Sequence, residues 1–129
     1  MEHERSDAMQ VTRGREVGAL TDPDPNFMGR AERRPIGPAA ELPGRPNAWI
    51  VTFRDGARTR WHSHADGQLL YVLDGHGRVA THHDEVAVGP GDVVAAAPGE
   101  EHWHGADDRA DLTHVALSFG ETTWGAESR

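Results

Sequence analysis

The 129-residue chain contains no cysteine, and its 13 basic residues are all arginine, because lysine is absent as well. Without cysteine there is no disulfide, thiolate nucleophile, zinc finger or iron–sulfur ligation. Without lysine there is no Schiff base, no covalent pyridoxal phosphate site and no P-loop. Set against 21 acids, the arginines leave a formal net charge of −8. That balance disfavours the nucleic-acid backbone and anionic membranes as partners, since both require a basic patch. No apolar run approaches the roughly 18 residues of a membrane span. The opening "MEHERSDAMQ" is polar and lacks the apolar stretch of a secretory signal, so a soluble, cytoplasmic protein is expected.

The length suits one domain with a modest core, and a domain this small gains from pairing with a second copy, so a homodimer is expected. Residues 1–20 read as a partly disordered tail, 21–119 as the domain and 120–129 as a C-terminal tail whose last five residues, "GAESR", are expected to fray. "RRPIGPAAELPGRPN" (33–47) holds four of the eight prolines and reads as mostly loop. From residue 48 the text becomes regular. "AWIVTF", "RTRWHSH", "QLLYVL", "RVATHH", "EVAVG", "DVVAAA", "HWHG" and "LTHVALSF" are short runs rich in Val, Leu, Thr and aromatics, separated by turns such as "RDGA", "LDGHG" and "GPGD". No stretch sustains helical periodicity. Many short strands at even spacing indicate an all-β sandwich or small barrel.

Two of these runs carry paired histidines, His62/His64 and His102/His104. Alternate residues of a strand point to one face, so the members of each pair project together. Imidazole is a preferred ligand of divalent transition metals, and Gln68 can add a neutral amide oxygen. The two segments are therefore expected to meet and hold one metal ion. His82 and His83 are adjacent and so diverge in a hairpin, His76 sits in a turn and His3 in the tail; all four are expected to be exposed.

These residues resemble a known family. Gly56, five residues, His62-Ser63-His64, three residues, Gln68, six residues and Gly75 look like the first cupin motif. Gly91, five residues, Ala97-Pro98-Gly99, two residues and His102 look like the second, fifteen residues further on. The resemblance implies a double-stranded β-helix, the cupin jelly-roll barrel, with a metal ion in its mouth. Three positions depart from the usual pattern: Gln68 stands where glutamate is common, Ala97 where proline is, and Ala106 where asparagine is. Three neutral imidazoles and a neutral amide leave the ion its full double charge, which favours Lewis-acid work over redox cycling.

"GQLLYVLDGHGRV", "PGDVV", "PGEEHWHGA" and "LTHVAL" further resemble the small monocupins that include manganese-dependent hydroxynitrile lyases. This likeness implies His62, His64, Gln68 and His102 as ligands of one divalent ion per chain. Mn²⁺ or Fe²⁺ is favoured, with Zn²⁺, Ni²⁺ or Co²⁺ as alternatives. It also implies that His104 and His114 line the cavity and move the proton. Ala95, Ala96 and Ala97 replace bulkier residues of that branch, so a wider pocket is expected. In the last run Leu112, His114, Ala116 and Ser118 share one face; Val115, Leu117 and Phe119 share the other, which is expected to be the packing face. The expected activity is a metal-dependent lyase or isomerase on a small-molecule substrate, with a metal-dependent dioxygenase and a non-catalytic small-molecule binder as rivals.

Overall fold

The computed structural model describes residues 11–20, 23–36 and 46–128. The decapeptide expected to be disordered, and most of the proline-rich stretch, lie outside the described residues. Apart from a 3₁₀ turn at Gly14–Glu16, the regular structure is all β: β1 (Phe27–Pro35), β2 (Asn47–Thr59), β3 (His62–His64), β4 (Gln68–Gly75), β5 (Gly77–Ala80), β6 (Glu85–Val88), β7 (Val93–Ala96), β8 (Trp103–Ala106), β9 (Leu112–Ser118) and β10 (Thr122–Trp124). One curled sheet runs β6-β5-β8-β2-β9-β4-β7, with β1 along β2, and β3 and β10 form a small second sheet. This is the all-β architecture expected from the strand pattern, in the jelly-roll form that the cupin resemblance implies.

Cross-strand register stacks the interior side chains in rungs. The innermost rung is Ala31–Phe53–Leu112, the next Arg33–Val51–His114–Val72, then Trp49–Ala116–Leu70, and at the mouth Asn47–Ser118–Gln68. Phe53 and Leu112 are fully buried. Burying each such side chain contributes roughly 1.5–3 kcal/mol. The interior thus grades from an apolar floor to a polar mouth, and the histidine of β9 falls at the transition. This reverses one expectation. The Leu112/His114/Ala116 face of β9 packs inward, whereas Val115 and Leu117 are only half-buried. A strand with apolar residues on both faces does not reveal its inner side by pattern alone, and the polar histidine pointed the wrong way.

Two other sequence expectations are corrected. The stretch expected to be mostly loop begins inside β1 with Arg33–Pro35, and residues 37–45 of it lie outside the described residues. "RDGA" is not a turn but a bend inside β2, with positive φ at Asp55 (48°) and Gly56 (79°). At this bend β2 leaves β9, which it pairs over Asn47–Phe53, and meets β8 at Arg58 and Gly105. The loop after β8 secures the bend, as the Asp55 N–H donates to the Asp111 carboxylate (2.9 Å) and the Gly56 N–H to the Ala110 carbonyl (3.0 Å). A bend of this kind lets one strand serve two parts of a curled sheet. Finally, the "GAESR" end expected to fray is held down over its described residues: the Gly125 N–H donates to the Trp61 carbonyl, the Trp61 N–H to the Ala126 carbonyl, and the buried Ser128 hydroxyl to the Thr59 carbonyl, just after Thr122–Trp124 pair with His62–His64.

Gly75 closes β4 at φ 88°, and a Cβ built there would overlap the carbonyl oxygen of Asp111. Both the left-handed backbone and the collision oppose any side chain. Gly75→Ala is expected to lower stability by about 2–4 kcal/mol, read from denaturant unfolding. A loss within experimental error would show that the loop at Asp111 simply moves aside.

Candidate metal centre

His62 and His102 exchange backbone hydrogen bonds, each N–H donating to the other's carbonyl at 2.8 Å. The Gly99 N–H adds a bond to the His64 carbonyl at 2.9 Å, folding the Pro98–Gly99 turn onto β3. The two histidine segments, separated by almost forty residues, therefore meet directly. Ring nitrogens of His62, His64 and His102 lie within 4.8 Å of one another, and all three residues are buried, so this cluster could hold a metal ion.

Hydrogen bonding fixes which nitrogens face inward. His62 Nδ1 lies 2.8 Å from the Arg60 carbonyl and His102 Nδ1 3.0 Å from the Glu100 carbonyl. A carbonyl only accepts, so each Nδ1 carries the hydrogen and each Nε2 keeps its lone pair. His64 Nδ1 meets the Thr122 hydroxyl at 2.9 Å, and its Nε2 is buried without a partner. The Gln68 amide nitrogen donates to the Ser118 hydroxyl at 3.0 Å, turning its carbonyl oxygen to within 3.0 Å of His102 Nε2. In the neutral ring, an unprotonated nitrogen and a carbonyl oxygen then face each other. Two acceptors at that distance repel unless a cation sits with them, which is the arrangement a metal's ligand set needs.

Protons do not fill that role at neutral pH. Burial, then the proximity of His102, pushes His62 down to about 3. Burial followed by His102 brings His64 to about 4. Burial also lowers His102, opposed by its bond to the Glu100 carbonyl. All three are neutral at pH 7 and available as ligands.

His104 lies outside this triad. Its Nδ1 is 3.1 Å from Nε2 of His114, and both rings rest on Phe53, with centroids 5.8 and 5.4 Å away. His104 Nε2 and His114 Nδ1 are buried and unpartnered. Burial, then neighbouring His114, holds His104 well below its ordinary range, and burial brings His114 to about 4. One hydrogen is shared between the rings. When it resides on His104 Nδ1, the Nε2 of that ring offers a free lone pair.

Both groups open on one cavity of about 260 Å³, lined by His62, His64, Gln68, His104 and His114 together with side chains of β1, β2, β9 and β10. Two β10 residues went unnoticed in the sequence: Thr122, which orients His64, and Trp124, whose ring lies 4.6 Å from that of His62. Their alternation was visible but only three residues long. Ala95 and Ala96 line a second cavity of about 240 Å³ with His102. In the β7 register Ala96 pairs with Gln68 and Ala95 with the exposed Leu69, so the two alanines face opposite sides of the sheet. His76, His82 and His83 are exposed, with His82 stacked on Trp61 at 4.1 Å, and His3 lies outside the described residues.

Residues 49–117 match the Cupin domain family, and the chain belongs to it. A curated relative named (R)-mandelonitrile lyase, from Granulicella tundricola, is 48% identical over 68 residues, 52% of this chain and 52% of its own length. The chain thus matches only about half of that relative. A cupin-like protein from Thermotoga maritima is 29% identical with a TM-score of 0.78, over 83% of this chain and 84% of its own. A predicted oxalate decarboxylase from Thermotoga maritima (19% identical, TM-score 0.76, 87% and 100% covered) shares the fold. So does the polyketide cyclase RemF from Streptomyces resistomycificus (17%, 0.75, 95% and 87%). Among the described residues no helix is long and apolar enough to cross a membrane.

Two outcomes are expected. Purified protein carries close to one divalent ion per chain by elemental analysis, and His64→Ala drops this at least tenfold; unchanged stoichiometry would exclude the triad. Separately, the buried histidines titrate below their unfolded value of about 6.5, so the unfolded chain binds more protons under that pH. Stability of metal-free protein is then full above pH 6.5 and is lost as pH falls toward about 4, where His64 and His114 titrate. A thermal midpoint that stays flat from pH 7 to 4.5 would contradict this.

Proposed function

We propose that this cupin is a divalent-metal-dependent lyase for small oxygen-bearing molecules, of the hydroxynitrile lyase kind. The observation that carries the reading is the hydrogen-bonded His104–His114 pair, held beside the triad in the same cavity with an unpartnered Nε2. His62, His64, His102 and the Gln68 oxygen would hold the ion, manganese or iron being favoured. Bound there, it would supply Lewis acidity toward a substrate hydroxyl or carbonyl oxygen.

The chain's own residues then handle the proton. His104 Nε2 accepts it from the hydroxyl of a cyanohydrin while its Nδ1–H remains on His114 Nε2. The carbon–cyanide bond breaks, the aldehyde forms, and the leaving cyanide takes the proton back from His104. Burial suits this cycle, because an imidazolium formed in such a site readily gives up its proton. Phe53 beneath both rings fixes their tilt and keeps water from below. The neutral ligand set supports the lyase over the dioxygenase, since no carboxylate is present to stabilise a higher oxidation state. The unpartnered base supports it over a simple binder.

A cytoplasmic homodimer belongs to the same reading. The outer face of β4 leaves Leu69, Tyr71 and Leu73 39%, 46% and 44% exposed, an apolar stripe suited to a second copy.

His104→Ala distinguishes base from ligand. The variant is expected to keep its metal while turnover of mandelonitrile falls about a hundredfold or more, mainly in kcat. Loss of the ion would make His104 a ligand, and full activity with the ion retained would leave His114 as the base.

A further inference from the structure

The part of the cavity farthest along the chain from the histidine motifs is built by β1 and the turn before it, which precede the span matched by the family. There the interior position of β1 that pairs with Val51 is an arginine. Arg33, Val51 and His114 occupy one rung, so Arg33 stands two strands from His114 on the same inner face, about 10 Å between backbones at the usual strand spacing. An interior site at a barrel mouth normally takes an apolar residue, as Ala31 does in the rung below.

The guanidinium is held in place. Its Cζ lies 5.3 Å from the Phe27 ring and 5.9 Å from the Trp49 ring, and its Nη1 makes an ion pair with Asp24 at 3.1 Å. Its side chain is only 20% exposed. Stacking against aromatic rings fixes the plane of the fork, and Asp24 engages one terminal nitrogen, so several of the five N–H donors remain for another acceptor. Asp24 and Arg33 are the only carboxylate and guanidinium among the described lining residues. A planar, preorganised fork on the wall of a small cavity is the recognition element for a carboxylate.

We infer that the natural substrate carries a carboxylate, held by Arg33, at the end of the molecule away from the oxygen that faces the histidines. The substrate class is a small oxo- or hydroxy-carboxylate, in place of the uncharged cyanohydrin of a simple hydroxynitrile lyase. This rests on the reading that the histidine cluster faces a substrate oxygen. The aromatic walls Phe27 and Trp49 suit a flat carbon skeleton between the two ends.

The probes are 4-formylbenzoate and its uncharged isostere 4-formylbenzamide, with binding measured by calorimetry on metal-loaded and metal-free protein and metal content assayed in each sample. The benzoate is expected to bind at least tenfold more tightly than the benzamide. Arg33→Gln abolishes that preference, weakening the benzoate far more than the benzamide, with metal content unchanged. Asp24→Asn keeps or increases it, because the competing carboxylate is gone. Equal binding of the two probes to the wild-type protein would overturn the proposal. So would a preference that survives in Arg33→Gln; if both variants also lost thermal stability, the pair would be a strut for the turn. The metal-free titration reads Arg33 by itself, so a carboxylate preference in protein that never takes up metal would sink the lyase reading and leave this one standing.

Discussion

The site depends on one pair of backbone hydrogen bonds, the reciprocal contact between His62 and His102. It joins two short segments that are too small to be stable alone, and it sets the spacing of the imidazoles those segments carry, while His114 is placed by β9. From it follow the convergence of His62, His64 and His102, the turn of the Gln68 amide toward them, and the offset that keeps His104 out of the triad. The rest of the barrel can be understood as support for this contact. β10 flanks β3 on its other edge, β2 holds β8 through Gly105, and the Pro98–Gly99 turn caps His64.

Buried polar groups normally cost stability unless they find partners. Here five imidazoles and an amide are packed around one cavity, and three of their nitrogens are left without partners among the described residues. A fold tolerates this where the groups are used. The same burial that weakens the metal-free protein in acid keeps the rings neutral at pH 7, the state in which imidazole can ligate a metal. Stability and chemistry are therefore opposed at the same residues, with Phe53 and Leu112 supplying the apolar floor that offsets the cost.

Much of the site was legible because strand alternation is a strict rule. His-x-His twice, with Gln68 one strand on, could be placed on shared faces without coordinates, and the structure brings His62, His64, Gln68, His102, His104 and His114 to one region. What was not legible came from outside the regular text. β1 carries charges on both faces, so its inward residues Phe27, Ala31 and Arg33 do not stand out, and Thr122-x-Trp124 is too short to distinguish from a tail. The inner face of β9 was misassigned for a related reason. Its neighbours, and not its own hydrophobicity, decide which side faces the core. Of the alanines before Pro98, only the register of β7 on β4 shows which one shares the face of Gln68, and that pairing is not written in their own sequence.

The rungs shared by β1, β2, β9 and β4 have a consequence for how such a protein can change over time. Substitutions act locally, but adding or deleting one residue within β9 would turn Leu112, His114 and Ala116 outward together and bring Thr113, Val115 and Leu117 inside. Length changes in descendants of this sequence should therefore concentrate in the Thr81–Asp84 hairpin, whose backbone bonds close on the turn itself. Variation in the walls of the cavity would come from residue exchange alone. The barrel can be re-tuned for new molecules but not resized for them.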